Sequence, residues 1–167
     1  MKTLILIRHA KSSWSSGASD DKNRPLNARG VLASAKVGTW LGGKGYLPDE
    51  VISSSATRCA ETWEKINSTL KASPALRFED ALYHAGPDMM LSMLRSATGD
   101  TVMMLGHMPG IGEFARDLRR DPPPLHESFS QYPTAATTVL EFKVDDWADV
   151  QMGTGKTINY IEPKSLP

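Results

Sequence analysis

The sequence predicts a three-layer α/β/α sandwich on a mostly parallel sheet, and three observations carry that prediction. Residues 4–7 (Leu-Ile-Leu-Ile) and 101–105 (Thr-Val-Met-Met-Leu) are short runs without polar alternation, which reads as strands buried on both faces. Segments with helical apolar spacing alternate with these and other short strand runs, the order that βαβ crossovers produce. Both runs also end in histidine, Arg8-His9 after the first and Gly106-His107 after the second. Open parallel sheets place their ligand sites at that carboxyl edge.

Each element follows from local signals. Residues 15–24 are rich in Ser, Asp, Gly and Lys without an apolar period, so they form an exposed loop over the end of the first strand. Asn27 is the expected N-cap of a helix through Val31, Ala35, Val37, Trp40 and Leu41, stopped by Gly42-Gly43. A short strand at 51–53 hands over through serines to a helix from about 56 to 70. Leu76-Arg77-Phe78 is a short strand and 82–86 a loop. A third helix starts at Pro87-Asp88 and buries Met90, Leu91, Met93 and Leu94. Pro109-Gly110 opens a fourth through Ile111, Phe114 and Leu118, and Asp121-Pro122-Pro123-Pro124 is a rigid loop. Residues 134–142 and 150–161 alternate as two strands that complete the sheet, with 145–149 connecting them.

A chain of 167 residues, 40% hydrophobic, suits one domain over 1–167 with an ordinary core. Nineteen basic residues balance nineteen acidic ones, so no general attraction to nucleic acid or to an anionic membrane is expected, and any positive field is local. Cys59 is the single cysteine, which excludes an intrachain disulfide. The apolar run after Met1-Lys2-Thr3 is too short for a signal peptide and no segment approaches the roughly 20 apolar residues of a membrane span, so a cytoplasmic protein is expected.

His9 and His107 share the carboxyl edge of the sheet. Arg8 lies beside His9, and Arg58 falls in the first turn of the helix after the strand at 51–53, where backbone N–H groups and the helix dipole favour anions. Two guanidiniums with helix amino termini describe a phosphate pocket. Two imidazoles beside them point to phosphoryl transfer through a histidine, because neutral imidazole is a good nucleophile near pH 7 and arginines stabilise the transferring oxygens. No metal or cofactor is expected.

Four motifs, Arg8-His9-Ala10-Lys11-Ser12-Ser13-Trp14, Arg24-Pro25-Leu26-Asn27-Ala28-Arg29-Gly30, the stretch from Ser53 to Thr62 around Arg58, and Gly106-His107-Met108-Pro109-Gly110, resemble the histidine phosphatase superfamily and its small SixA-like phosphohistidine phosphatases. The resemblance implies a phosphoglycerate mutase-like fold. It implies that His9 becomes phosphorylated while Arg8, Arg58 and His107 bind the phosphoryl group, with Ser12 and Arg24 bordering the site. The chain departs from the pattern at Ala10, where many members have glycine, and at Ser55, where proline is usual. Larger members supply a general acid between the arginine helix and the second histidine, and here Glu79, Asp80 and His84 are the candidates. None has decisive spacing. Protonating an alkoxide leaving group is worth roughly 10²- to 10⁴-fold, whereas imidazole leaves readily, so a weak acid favours phosphohistidine. The expected substrate is a phosphorylated protein, such as a histidine-containing phosphotransfer domain. A phosphatase for small phosphate esters and a non-catalytic phosphate-binding module are the alternatives, and oligomeric state is not legible.

Three patterns are set aside. Gly153-Thr154-Gly155-Lys156-Thr157 lacks the first glycine of a P-loop and reads as a turn, and Gly110-Ile111-Gly112-Glu113-Phe114-Ala115 reads as close helix packing. His126-Glu127 lacks the second histidine of a zinc site. Trp40 and Trp63 read as core, Trp14 as a shield for the cleft, and Cys59 as a small buried side chain.

Overall fold

The computed structural model describes residues 1–124, 126 and 128–167; Glu127 of the His126-Glu127 pair therefore lies outside the described residues. Its six-stranded sheet has the order β3-β2-β4-β1-β5-β6. The strands are β1 (Lys2–Arg8), β2 (Glu50–Ser54), β3 (Ala75–Glu79), β4 (Thr101–Gly106), β5 (Thr137–Phe142) and β6 (Lys156–Ile161). The first four are mutually parallel, β5 runs against β1, and β6 runs against β5, so the mostly parallel sheet holds.

β1 sits between β4 and β5, and the burial of both its faces explains the unbroken apolar run. Leu4 and Leu6 join one core with α3 (Pro87–Arg95) and α4 (Gly110–Leu118). Ile5 and Ile7 face the opposite core, under α1 (Ala28–Lys44) and α2 (Thr57–Leu70). These are the three layers.

Asn27 caps α1 as expected, its Oδ1 accepting the Gly30 N–H at 2.9 Å. The helix does not stop at Gly42-Gly43 but runs through both to Lys44. Gly45, at φ 76°, makes the left-handed turn, and the Tyr46 N–H returns to the Leu41 carbonyl at 2.9 Å. A Cβ on Gly38 would lie 2.1 Å from the Ile66 carbonyl, so this glycine sets how closely α1 approaches α2.

Other boundaries differ for local reasons. Met93 is only partly buried, whereas Met90, Leu91 and Leu94 are core. Both tail strands are shorter than their alternation implied: Ala135 takes a left-handed φ of 60° before β5, and Gly153 takes φ 76° before β6. The P-loop-like glycines accordingly lie in the turn into β6. A Cβ on Gly110 would meet the Ala85 carbonyl at 1.9 Å, the close packing expected there. Trp63 is buried but Trp40 only half so, against Tyr46. Trp147, read as part of a connection, is fully buried and donates its indole N–H to the Gly99 carbonyl at 2.6 Å. Among the described residues no helix is long and apolar enough to cross a membrane.

Candidate active site

The carboxyl ends of β1, β4 and β2 bring four of the expected residues, Arg8, His9, Arg58 and His107, into one cluster. Beyond Arg8 the chain stays pinned to the sheet, with the His9 N–H on the Gly106 carbonyl at 3.1 Å and the Ala10 N–H on Thr62 Oγ1 of α2 at 2.9 Å. This fixes the His9 ring. Its Nδ1–H donates to the Ala10 carbonyl at 2.8 Å, which leaves the Nε2 lone pair facing Arg58, whose Nε lies 3.4 Å away. The tautomer follows from the hydrogen-bond network.

His107 follows β4, with its ring centroid 5.2 Å from that of His9. Its Nε2 shares a hydrogen bond of 2.8 Å with the Ser54 hydroxyl, at the end of β2. Its Nδ1 is buried and has no partner among the described residues. Arg8 donates one terminal N–H to the Tyr132 carbonyl at 3.0 Å, while its buried Nε is likewise unpartnered among the described residues.

Arg58 is 6% exposed and binds in three directions. Besides facing His9, it donates to the Asp21 carbonyl at 2.8 Å and to Asp21 Oδ2 at 3.1 Å. A guanidinium has five N–H donors, so two remain for an anion in the cleft. Asp21 opens a short 3₁₀ turn in the loop over β1, held by the Asp20 side chain on the Asn23 N–H at 3.0 Å.

The remaining candidates are placed differently. Arg24 donates to Ser12 Oγ at 2.7 Å and to Asp21 Oδ1 at 3.0 Å, so Ser12 and Arg24 form a brace at the rim. Trp14 is 83% exposed and stacks on the Arg24 guanidinium at 3.6 Å, so it flanks that brace instead of covering the cleft. Glu79 pairs with Arg77 at 3.5 Å on edge strand β3. Asp80 is exposed, between Lys22 at 3.1 Å and the Ser55 hydroxyl. Neither carboxylate has a bond to the histidine cluster. His84 stacks on Tyr83 at 4.1 Å, and Tyr83 in turn meets the edge of His107 at 5.4 Å.

The sequence reading missed Asp21 and Tyr83, whose hydroxyl donates to Asp21 Oδ2. Both lie in segments without periodicity. The one local hint was the Asp-x-x-Arg spacing of Asp21 and Arg24.

Burial and charge set the protonation states. Burial, and then the charges of Arg58, Arg8 and Arg24, pull His9 from its ordinary 6.5 to about 4, against the opposing pull of the Ala10 carbonyl. Burial, then the neighbouring His9 and Arg58, pull His107 to about 3. The Tyr83 hydroxyl, followed by Arg24 and Arg58, holds Asp21 well below the ordinary carboxylate value. Burial pushes the Cys59 thiol up to about 12, which makes it an inert core group.

These shifts fix a pH dependence of stability. Between about pH 6.5 and 4 the unfolded chain protonates His9 and His107 while the folded protein keeps both neutral, so the unfolded state binds more protons and stability rises with pH across the window. Thermal unfolding should show Tm falling as pH drops from 6.5 to 4, with a smaller fall in His9→Asn. An identical slope in that variant would mean that His9 is hydrated in the folded state.

With this geometry established, comparison with known proteins is informative. The histidine phosphatase superfamily (branch 1) family model matches residues 4–83. A solved structure from Nakamurella multipartitia, provisionally named phosphohistidine phosphatase SixA, is 28% identical, with 97% of this chain and 96% of that one covered and a TM-score of 0.78. The chain belongs to the histidine phosphatase superfamily, in its SixA-like branch. This histidine phosphatase has the phosphoglycerate mutase-like fold and is a hydrolase of the phosphatase class. It is also 30% identical over 165 residues to an uncharacterised protein of Mycobacterium tuberculosis, covering 95% of this chain and 100% of that one. A protein histidine phosphatase SixA complexed with tungstate shares the fold at TM-score 0.79 and 20% identity, with 97% of each chain covered.

Proposed function

We propose that this phosphatase hydrolyses phosphohistidine on a protein, by way of a phosphorylated His9. The observation that carries the reading is the His9 ring itself: Nδ1–H is fixed on the Ala10 carbonyl and Nε2 presents a lone pair beside Arg58. A neutral, oriented imidazole among arginines is a nucleophile for an anionic phosphoryl group.

In the first step Nε2 of His9 attacks phosphorus in line. The bond from phosphorus to the leaving nitrogen breaks, and its electron pair stays on the departing imidazole. Two spare N–H groups of Arg58, the Arg8 guanidinium and Nδ1–H of His107 hold the equatorial oxygens, where charge accumulates. In the second step water attacks phosphorus, the bond to Nε2 breaks, and phosphate leaves as His9 regains its lone pair. No step is routed through a metal.

The leaving group decides the substrate class. Glu79 and Asp80 have ion-pair partners of their own, and Asp21 is held ionised. None of these carboxylates is a ready proton donor to an alkoxide, and His84, stacked on Tyr83, has no hydrogen bond to His9 or His107, whereas a phosphorylated imidazole needs no such donor. A histidine-containing phosphotransfer domain fits this chemistry, and the name of the Nakamurella protein agrees with it.

The test is phosphate release from a phosphohistidine-bearing protein and from a phosphoserine peptide. We expect the first to exceed the second by about 10²-fold or more in kcat/KM, the size of a missing general acid. Faster turnover of the serine ester would make this a general phosphomonoesterase, and phosphate binding without turnover of either would make it a binding module.

A further inference from the structure

We infer that Asp21 selects an imidazole leaving group by accepting the N–H at the second nitrogen of the substrate's phosphorylated ring. The inference deepens the phosphohistidine reading and rests on it.

The first support is the hydrogen-bond capacity of the carboxylate. An ionised carboxylate offers about four lone-pair directions. Oδ2 accepts from Arg58 and from the Tyr83 hydroxyl, and Oδ1 accepts from Arg24 Nε. One direction on Oδ1 is left, on a side chain that is 49% exposed. The group is therefore anchored from three sides and still has one acceptor site to offer.

Position is the second support. Arg58 turns its Nε toward His9 and its terminal nitrogens toward Asp21, so Asp21 stands at the outer end of the guanidinium. A phosphoryl group held by Arg58 in line with His9 carries its leaving group on the side away from His9. Asp21, which also accepts from the Tyr83 hydroxyl, is bonded to the guanidinium nitrogens beyond the one that faces His9, and on that side we place the leaving group. Tyr83 also touches the edge of His107, so the same small group of side chains spans both ends of the cluster.

The chemistry requires an ionised acceptor there. A phosphorylated imidazole leaves as a neutral ring only when its second nitrogen carries a proton. In the transfer the phosphorus–nitrogen bond breaks, its electron pair stays on that nitrogen, and the ring charge falls from +1 to 0 while the other N–H stays in place. A carboxylate on that N–H raises the fraction of substrate in the reactive, protonated form. It does nothing comparable for a serine or sugar ester, whose oxygen must receive a proton that Asp21 does not hold. One side chain thus favours phosphoimidazole and offers no help to alkyl esters.

The experiment compares wild type, Asp21→Asn and Asp21→Ala on phosphoimidazole and on p-nitrophenyl phosphate, whose leaving group needs no proton and has no N–H to offer. The ratio of kcat/KM on the first to that on the second should fall about 10- to 100-fold in both variants, the worth of a hydrogen bond to a charged group. In addition, the basic limb of the kcat profile on phosphoimidazole should move to lower pH in Asp21→Asn, because the bound ring loses its proton sooner. An equal fall on both substrates would reduce Asp21 to a brace for Arg58 and overturn the inference. A rise on both would show a carboxylate that competes with phosphate for the arginines, which overturns it as well. Wild-type inactivity on phosphoimidazole and on phosphohistidine protein would defeat the phosphohistidine reading, and this one with it. Activity with an unchanged ratio in the variants would defeat this inference alone.

Discussion

His9→Ala should abolish turnover, with a loss of about 10⁴-fold or more in kcat, the scale seen when a covalent nucleophile is removed. No neighbour can replace it. His107 is 5.2 Å away between ring centroids, but its Nε2 is engaged by the Ser54 hydroxyl at 2.8 Å, so it is not free to take over the attack. The Cys59 thiol is buried and pushed up to about 12, far from a thiolate at neutral pH. The fold should survive, because the strand bonds of this segment are made by its backbone, the His9 N–H on Gly106 and the Ala135 N–H on the His9 carbonyl. Far-ultraviolet circular dichroism of the variant should match wild type. Brief incubation of wild type with labelled substrate and an alkaline quench should leave label on the protein, since phosphohistidine survives base, and the variant should carry none. Wild-type turnover in His9→Ala would sink the whole scheme.

Burial explains which parts of this arrangement were legible in the sequence. β1 and β4 could be read because a strand covered on both faces has no room for polar residues, and its end is marked by the first ones that appear. His9, His107 and Arg58 follow from that marking, since each lies within a few residues of a strand's carboxyl end. Asp21 and Tyr83 could not be found this way. Asp21 is placed by bonds from Arg24 and Arg58, and Tyr83 by its hydroxyl on Asp21, which is distant in sequence and lodged in an irregular loop, and no period records such bonds. For the same reason Glu79 and Asp80 looked like candidate acids from their place in the order of the chain, although edge strand β3 and the partners Arg77 and Lys22 engage them elsewhere. The end of α1 was misplaced because glycine permits a left-handed turn without requiring one: Gly42 and Gly43 remain helical, and Gly45 makes the turn.

Arg58→Ala should lower kcat/KM by about 10³-fold, and Arg58→Lys should recover little of it. The guanidinium acts as a planar fork, with Nε toward His9 and its two terminal nitrogens on the Asp21 carbonyl and carboxylate, which leaves two N–H donors uncommitted. An ammonium is a single point charge that cannot span those directions at once, so lysine keeps the charge and loses the geometry. The substitution also separates two effects on His9. Arg58 is one of the groups that lower the His9 pKa, although burial is the larger cause. Alanine removes the charge and leaves most of the burial, so His9 in Arg58→Ala should titrate higher than in wild type yet remain below 6.5; in Arg58→Lys, which retains a positive charge, it should stay near the wild-type value. Histidine NMR titration reads that difference while kinetics reads the loss. Near-wild-type activity in Arg58→Lys would mean that charge alone suffices. A lysine variant with a wild-type His9 titration and a crippled rate would instead assign the effect of Arg58 to how it aims its donors at the transferring phosphoryl group.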